Sequence, residues 1–185
     1  MAGVKARRAP ARQAEAAPAD ALLPAEKALT GLEWSLWRLS AAFIRWQGAC
    51  MTAVAGRPIG GQDTALLHVV AFRERAKGLS EIARLLGRTD TANIQYAIRK
   101  LVRLGLIAPL AGRSRKDTLY RVTPEGEVLI AGYRALRRDL LVVLAEAAEA
   151  DLPGLDARLL RLAGLYDGAA RAAVERQIGA GADGD

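Results

Sequence analysis

Between Thr91 and Leu104 the chain carries a run of polar groups at helical spacing. At 100° per residue, Gln95, Tyr96, Arg99, Lys100 and Arg103 fall on one side, with Asn93 near its edge, and no carboxylate stands among them. Side-chain amides can pair with the edge of adenine, and guanidinium or ammonium groups can pair with guanine or phosphate. The chemistry on offer is recognition through hydrogen bonds and charge. A second cationic set lies in Ala111-Gly-Arg-Ser-Arg-Lys-Asp117, where Arg113, Arg115 and Lys116 can reach phosphate or a minor groove.

The first set needs a helix to hold it. Ile94, Ala97, Ile98 and Leu101 recur at i, i+3, i+4 and i+7, which predicts a buried stripe opposite the polar face. Asp90 is expected to cap this helix by accepting a bond from a free N–H of the first turn, and Gly105 to close it. Upstream, Leu79-Ser-Glu-Ile-Ala-Arg-Leu-Leu-Gly87 predicts a two-turn helix. Ser80 is its expected cap, Glu81 suits its positive end, Ile82, Leu85 and Leu86 form its apolar face, and Gly87 ends it. Downstream, 106–110 and 118–123 are short runs rich in β-formers. Pro109 restricts the first of them to an edge. Two helices followed by a basic hairpin form the anatomy of a winged helix-turn-helix.

Three pieces of this stretch carry a resemblance. Leu79-Ser-Glu-Ile-Ala-Arg-Leu-Leu-Gly87, then Ile94…Ile98-Arg-Lys-Leu101…Leu104-Gly-Leu-Ile107, then Tyr120-Arg-Val-Thr-Pro-Glu-Gly126 together resemble the multiple-antibiotic-resistance regulator (MarR) family over about residues 31–150. The turn Arg88-Thr-Asp-Thr91 is about one residue longer than usual in that family. Arg113-Ser-Arg-Lys-Asp117 replaces its frequent aspartate-arginine-aspartate run. The resemblance implies a mainly α fold with a small β-hairpin wing, and N- and C-terminal helices that form a homodimer. It also implies a pseudo-palindromic stretch of double-stranded DNA as partner. On that reading Asn93, Gln95, Tyr96 and Arg99 are the base-edge candidates, because the early part of a recognition helix goes deepest. Thr91, Lys100 and Arg103 hold phosphates or sugars, and Arg113, Arg115 and Lys116 touch backbone or minor groove. Family members often carry a small-molecule effector site between the dimer helices and the reading lobe; Trp34, Trp37, Arg38 and His68 are candidates by location.

Charge is distributed as such a role requires. Net charge is +2 over residues 1–30, +9 over 31–124 and −4 over 125–185. The positive charge thus coincides with the reading segment. Ordinary solvated helix faces are the plain alternative. A single cysteine excludes an intramolecular disulfide framework and a cysteine-rich metal site. One histidine without a cysteine or paired-carboxylate neighbour points neither to a metal nor to catalysis. No nucleophile elbow, phosphate-cradling glycine loop or HExxH occurs, so no enzyme, catalytic residue or cofactor is expected. No apolar run is long enough for a membrane helix, and none follows the basic start to make a signal peptide. A cytoplasmic protein with no membrane partner is expected.

In chain order, residues 1–26 read as an Ala/Pro/Arg-rich flexible arm whose Arg7, Arg8 and Arg12 are more simply tail than DNA contacts. Residues 27–56 form a long helix with a stripe of Leu32, Leu36, Leu39, Phe43, Trp46 and Cys50, and with Trp37 and Ile44 on another side. A helix apolar on more than one side is buried more than once, so packing is the plain reading of its tryptophans and of Cys50. A helix over 62–76 should bury Leu66, Leu67, Val69, Val70 and Phe72, with Arg73, Arg75 and Lys77 at its negative end. Residues 57–123 form the winged DNA-binding domain. Residues 27–56 and 124–178 form the dimerisation region, and 179–185 a frayed tail. A stripe from Leu129 to Ala147 should run about seven turns until Pro153-Gly154 breaks it, with a last helix from about 155 to 178. The competing function is a winged-helix protein-interaction module whose basic face docks an acidic partner.

Overall fold

The computed structural model describes residues 23–111, 118–148 and 150–182. Their elements are α1 (Pro24–Ala55), α2 (Gly61–Ala71), a 3-10 turn (Phe72–Glu74), β1 (Lys77–Gly78), α3 (Leu79–Leu86), α4 (Thr91–Arg103), β2 (Ile107–Ala111), β3 (Thr118–Val122), α5 (Pro124–Leu136), a π-helical stretch (Arg137–Val142), α6 (Val143–Ala147) and α7 (Leu152–Ala182). This is the mainly α fold with a β-hairpin wing that the sequence predicts. Contacts divide it into two compact units, Met1–Glu127 and Val128–Asp185.

The first unit holds the core. Met51 and Ile59 pack with Leu66, Leu67 and Val70 of α2, Ile82 of α3, Ile94, Ile98 and Leu101 of α4, and Leu106 and Ile107 at the start of the hairpin, all essentially buried. The helices approach closely: a Cβ on Gly61 would lie 2.3 Å from the Ile44 carbonyl oxygen. The three-stranded sheet is antiparallel in the order β1-β3-β2. Pro109 sits opposite Tyr120 on edge strand β2, where its missing N–H costs no ladder bond.

Several local expectations are corrected. α2 stops at Ala71, not near residue 76, and Phe72 is 49% exposed instead of buried. The chain turns through Arg73 and Glu74 at φ 58 and 51, in the left-handed region that non-glycine residues rarely occupy. Lys77 is not on α2 but on β1, a strand without a sequence signal, and its side chain is 0% exposed. Its Nζ donates to the carbonyls of Val70 and Arg75, each at 2.9 Å, and to that of Phe72. Burial pushes this ammonium's pKa down, while three carbonyl acceptors match its three N–H donors. A cation does serve the negative end of α2, but it returns there from a strand. Lys77→Met would keep the stem's volume and strand those carbonyls; a stability loss of about 1–3 kcal/mol is expected in denaturant unfolding. Ser80 does not cap α3. Gly78 holds the N-cap position without a side-chain bond, and Glu81 pairs with Arg75.

α1 starts at Pro24, three residues before the expected point, and residues 1–22 with Arg7, Arg8 and Arg12 lie outside the described residues. Of its expected stripe only Cys50 is buried, while Leu39 and Phe43 are exposed; the other buried residues of α1, Gln47 and Met51, lie outside that stripe. In the second unit, the expected seven-turn stripe is interrupted. The π-helical stretch at Arg137–Val142 shifts the helical phase, and α6 ends at Ala147. Pro153 and Gly154 lie inside the first turn of α7 instead of ending the preceding helix. Leu140, Leu144, Leu155, Leu159 and Leu165 are exposed.

Candidate nucleic-acid interface

α4 is the element to be positioned, and its own sequence builds it. Ile94, Ile98 and Leu101 are buried and Ala97 is half-buried, as the spacing predicts. The polar face is turned outward: Thr91, Asn93, Gln95, Arg99 and Arg103 are exposed, and Tyr96 is 59% exposed. Arg99 and Arg103 make no hydrogen bond or ion pair among the described residues.

Three ties fasten α4 to its neighbours, and the sequence reading found none of them. The Arg57 guanidinium donates to the Leu104 carbonyl at 3.0 Å, which satisfies an orphan acceptor at the end of α4. Lys100, expected at phosphate, forms an ion pair with the buried Asp63 of α2. Arg88, in the turn before α4, clasps the Asp90 carboxylate, with Nε 2.8 Å from Oδ1 and Nη2 on Oδ2. Its remaining Nη1 lies 3.5 Å from Gln62 Oε1.

Asp90 does occupy the N-cap position, but its side chain makes no capping bond to the first turn of the helix. Its carboxylate is committed to Arg88 and to the Asn93 amide, 3.1 Å away. The Arg88 guanidinium first, then Asn93, hold this carboxyl well below the usual carboxylate range. The local signal was present as Arg88-x-Asp90-x-x-Asn93, since N-cap and N3 side chains are near neighbours on a helix start.

Beside the other flank of α4, Gln95 lines a cleft of about 690 Å³ together with Arg75, Ser80, Glu81, Thr118 and Tyr120. The residues expected at an effector site lie elsewhere. Trp34 and Trp37 stand edge to face on α1 with ring centres 5.2 Å apart, and among the described residues they are 61% and 64% exposed. Arg38 is exposed and His68, on α2, is half-buried. The wing cations Arg113, Arg115 and Lys116 lie outside the described residues.

The turn out of the hairpin explains the run Val122-Thr-Pro-Glu-Gly126. Thr123 Oγ1 donates to the Gly105 carbonyl at 2.6 Å and accepts from the Gly126 N–H at 3.1 Å. The Thr123 N–H donates to the Leu106 carbonyl at 3.1 Å. Pro124 opens α5, where a missing N–H is harmless. The end of α4 and the start of α5 are therefore joined through one threonine.

Residues 59–126 match the family model of a winged helix DNA-binding domain. No curated protein sequence matches the chain. Among solved structures, a MarR family transcription regulator aligns at TM-score 0.61 and 18% identity, over 80% of this chain and 93% of its own. The Mycobacterium tuberculosis transcriptional regulator MosR, in complex with DNA, aligns at 0.58 and 16%, over 74% and 96%. A mutant MarR from Escherichia coli, complexed with operator DNA, aligns at 0.59 and 16%, over 72% and 93%. Residues 59–126 are thus similar to a winged helix DNA-binding domain, and the chain has the fold of the MarR-family transcription regulators.

Proposed function

We propose that the protein is a homodimeric transcription regulator that binds a pseudo-palindromic operator. α4 enters the major groove, and the wing over 111–117 lies on backbone or minor groove. The observation that carries this reading is the outward face of α4. It presents Asn93, Gln95, Tyr96, Arg99 and Arg103 without a carboxylate, on a helix that three ties hold to the rest of its domain. That face can both pair with base edges and meet phosphate. A two-fold dimer would set two copies of α4 about 34–36 Å apart, in successive major grooves. Self-association is supported by the apolar side chains left uncovered on α1, α6 and α7, including Leu39, Phe43, Leu144 and Leu159. A small-molecule effector would act by holding the reading lobes at another spacing.

The test is binding of the full chain to the DNA flanking its own gene and to a random-sequence library, followed by fluorescence anisotropy with competitor DNA. Tight binding that survives random competitor is expected. Sequence-blind binding in both settings would favour the protein-docking module. Arg99→Ala is expected to relax selectivity at one base pair per half-site, at a cost of roughly 1–3 kcal/mol. An equal loss on every sequence would make Arg99 a phosphate contact instead.

A further inference from the structure

The cluster of Arg88, Asp90 and Asn93 sits on the surface at the start of α4, and its members spend their polar groups on one another. An ionised carboxylate can only accept hydrogen bonds. The atom of Asn93 that lies 3.1 Å from Asp90 Oδ2 must therefore be the amide nitrogen, and the opposite end of the amide is the carbonyl oxygen. Left alone, an exposed asparagine amide can turn over at little cost and present either end. Here turning it would set carbonyl oxygen against carboxylate oxygen. Arg88 keeps the carboxylate in place and in its charged form, through Nε at 2.8 Å and through Nη2. It also cancels a negative charge that would otherwise stand on a surface facing phosphates. The lowered pKa of Asp90 agrees with this ionised state.

We propose that Asp90 is a specificity-positioning residue. It fixes the sense of the Asn93 amide, so that Asn93 presents its carbonyl oxygen to a base bearing an exocyclic amino group. In the major groove adenine N6 and cytosine N4 offer that donor, whereas guanine O6 and thymine O4 are acceptors that face an acceptor unfavourably. The inference rests on α4 reading DNA and adds which class of base one position selects and what enforces it.

The experiment uses the full chain and the operator recovered from a random-library selection. Each half-site position is changed to all four base pairs, and affinities are measured by anisotropy at one salt concentration. The wild-type protein is expected to show one position per half-site at which adenine or cytosine is favoured over guanine or thymine by about 5- to 150-fold. Asp90→Asn replaces the carboxylate by an amide that can donate or accept, so Asn93 can turn over. The preference at that position alone should shrink to under about threefold, as the keto bases become acceptable. Asn93→Ala leaves Asp90 paired with Arg88 and removes the amide that meets the base. It should level the same position while the other positions keep their selectivity. An unchanged base profile in Asp90→Asn, or a preference for amino bases that survives in Asn93→Ala, would overturn the inference while leaving sequence-specific binding intact. A wild-type protein without any sequence preference would overturn the parent reading, and this one with it.

Discussion

Between 50 and 200 mM salt, the affinity of the protein for its operator is expected to fall by roughly 10³–10⁵-fold. The expectation follows from which cations remain available. Lys100 and Arg88 stand near the reading face, but each is already paired within the protein, with Asp63 and Asp90. Arg99 and Arg103 are exposed and unpaired among the described residues, and the wing sequence adds Arg113, Arg115 and Lys116. In the proposed dimer two copies of that set would neutralise roughly 6–10 phosphates, and each such contact would release condensed counterions on binding. A salt series followed by anisotropy gives the slope of log affinity against log salt. A flat response would remove the electrostatic basis of the reading. The internal pairing sharpens the test. Arg103→Gln should reduce the slope of a protomer's contribution by about one unit, whereas Lys100→Gln should leave the slope almost unchanged. Lys100→Gln should instead lower stability, because it strands the buried Asp63 carboxylate.

Gly126→Val is the second large effect expected, and it acts on folding. A Cβ at this position would lie 2.2 Å from the Leu106 carbonyl oxygen and 2.7 Å from Val122 Cγ1. The oxygen belongs to backbone that already accepts the Thr123 N–H, so it cannot swing away without losing that bond. Moving α5 outward would stretch the bond between the Gly126 N–H and Thr123 Oγ1. Overpacking of this kind costs about 3 kcal/mol or more when backbone must shift. For a chain of this length each kcal/mol lowers Tm by roughly 2–4 °C, so thermal unfolding reads the effect directly. A melting curve equal to the wild type's would show that the α4–α5 junction has slack. In that case the glycine would not be needed there for close approach.

α4 was legible because everything that makes it a helix lies within fifteen residues. The stripe of Ile94, Ile98 and Leu101 follows from the 3.6-residue period alone, and so does the outward turn of Tyr96 and Arg99. Gly87 and Gly105 take φ 62 and 73 at the ends of their helices, where a residue with a side chain would be strained. Pro109 lies on an edge strand because a proline cannot donate to a ladder on both sides.

What the sequence determined by itself is therefore the set of local elements and the chemistry of one helix face. The tertiary structure decided the partners, because pairing depends on which distant groups the fold brings within hydrogen-bond reach. β1 is two residues long and exists only because β3 lies beside it. Lys77 is charged in sequence, yet it is buried because three carbonyls at the end of α2 surround its ammonium. Lys100 had the type and position of a phosphate ligand, but Asp63, 37 residues away in sequence, holds it. Asp90 had the type and position of a helix cap, but Arg88 and Asn93 compete for its oxygens and win them. Periodicity places a side chain on a face; only the packed chain settles what that side chain has left to offer a ligand.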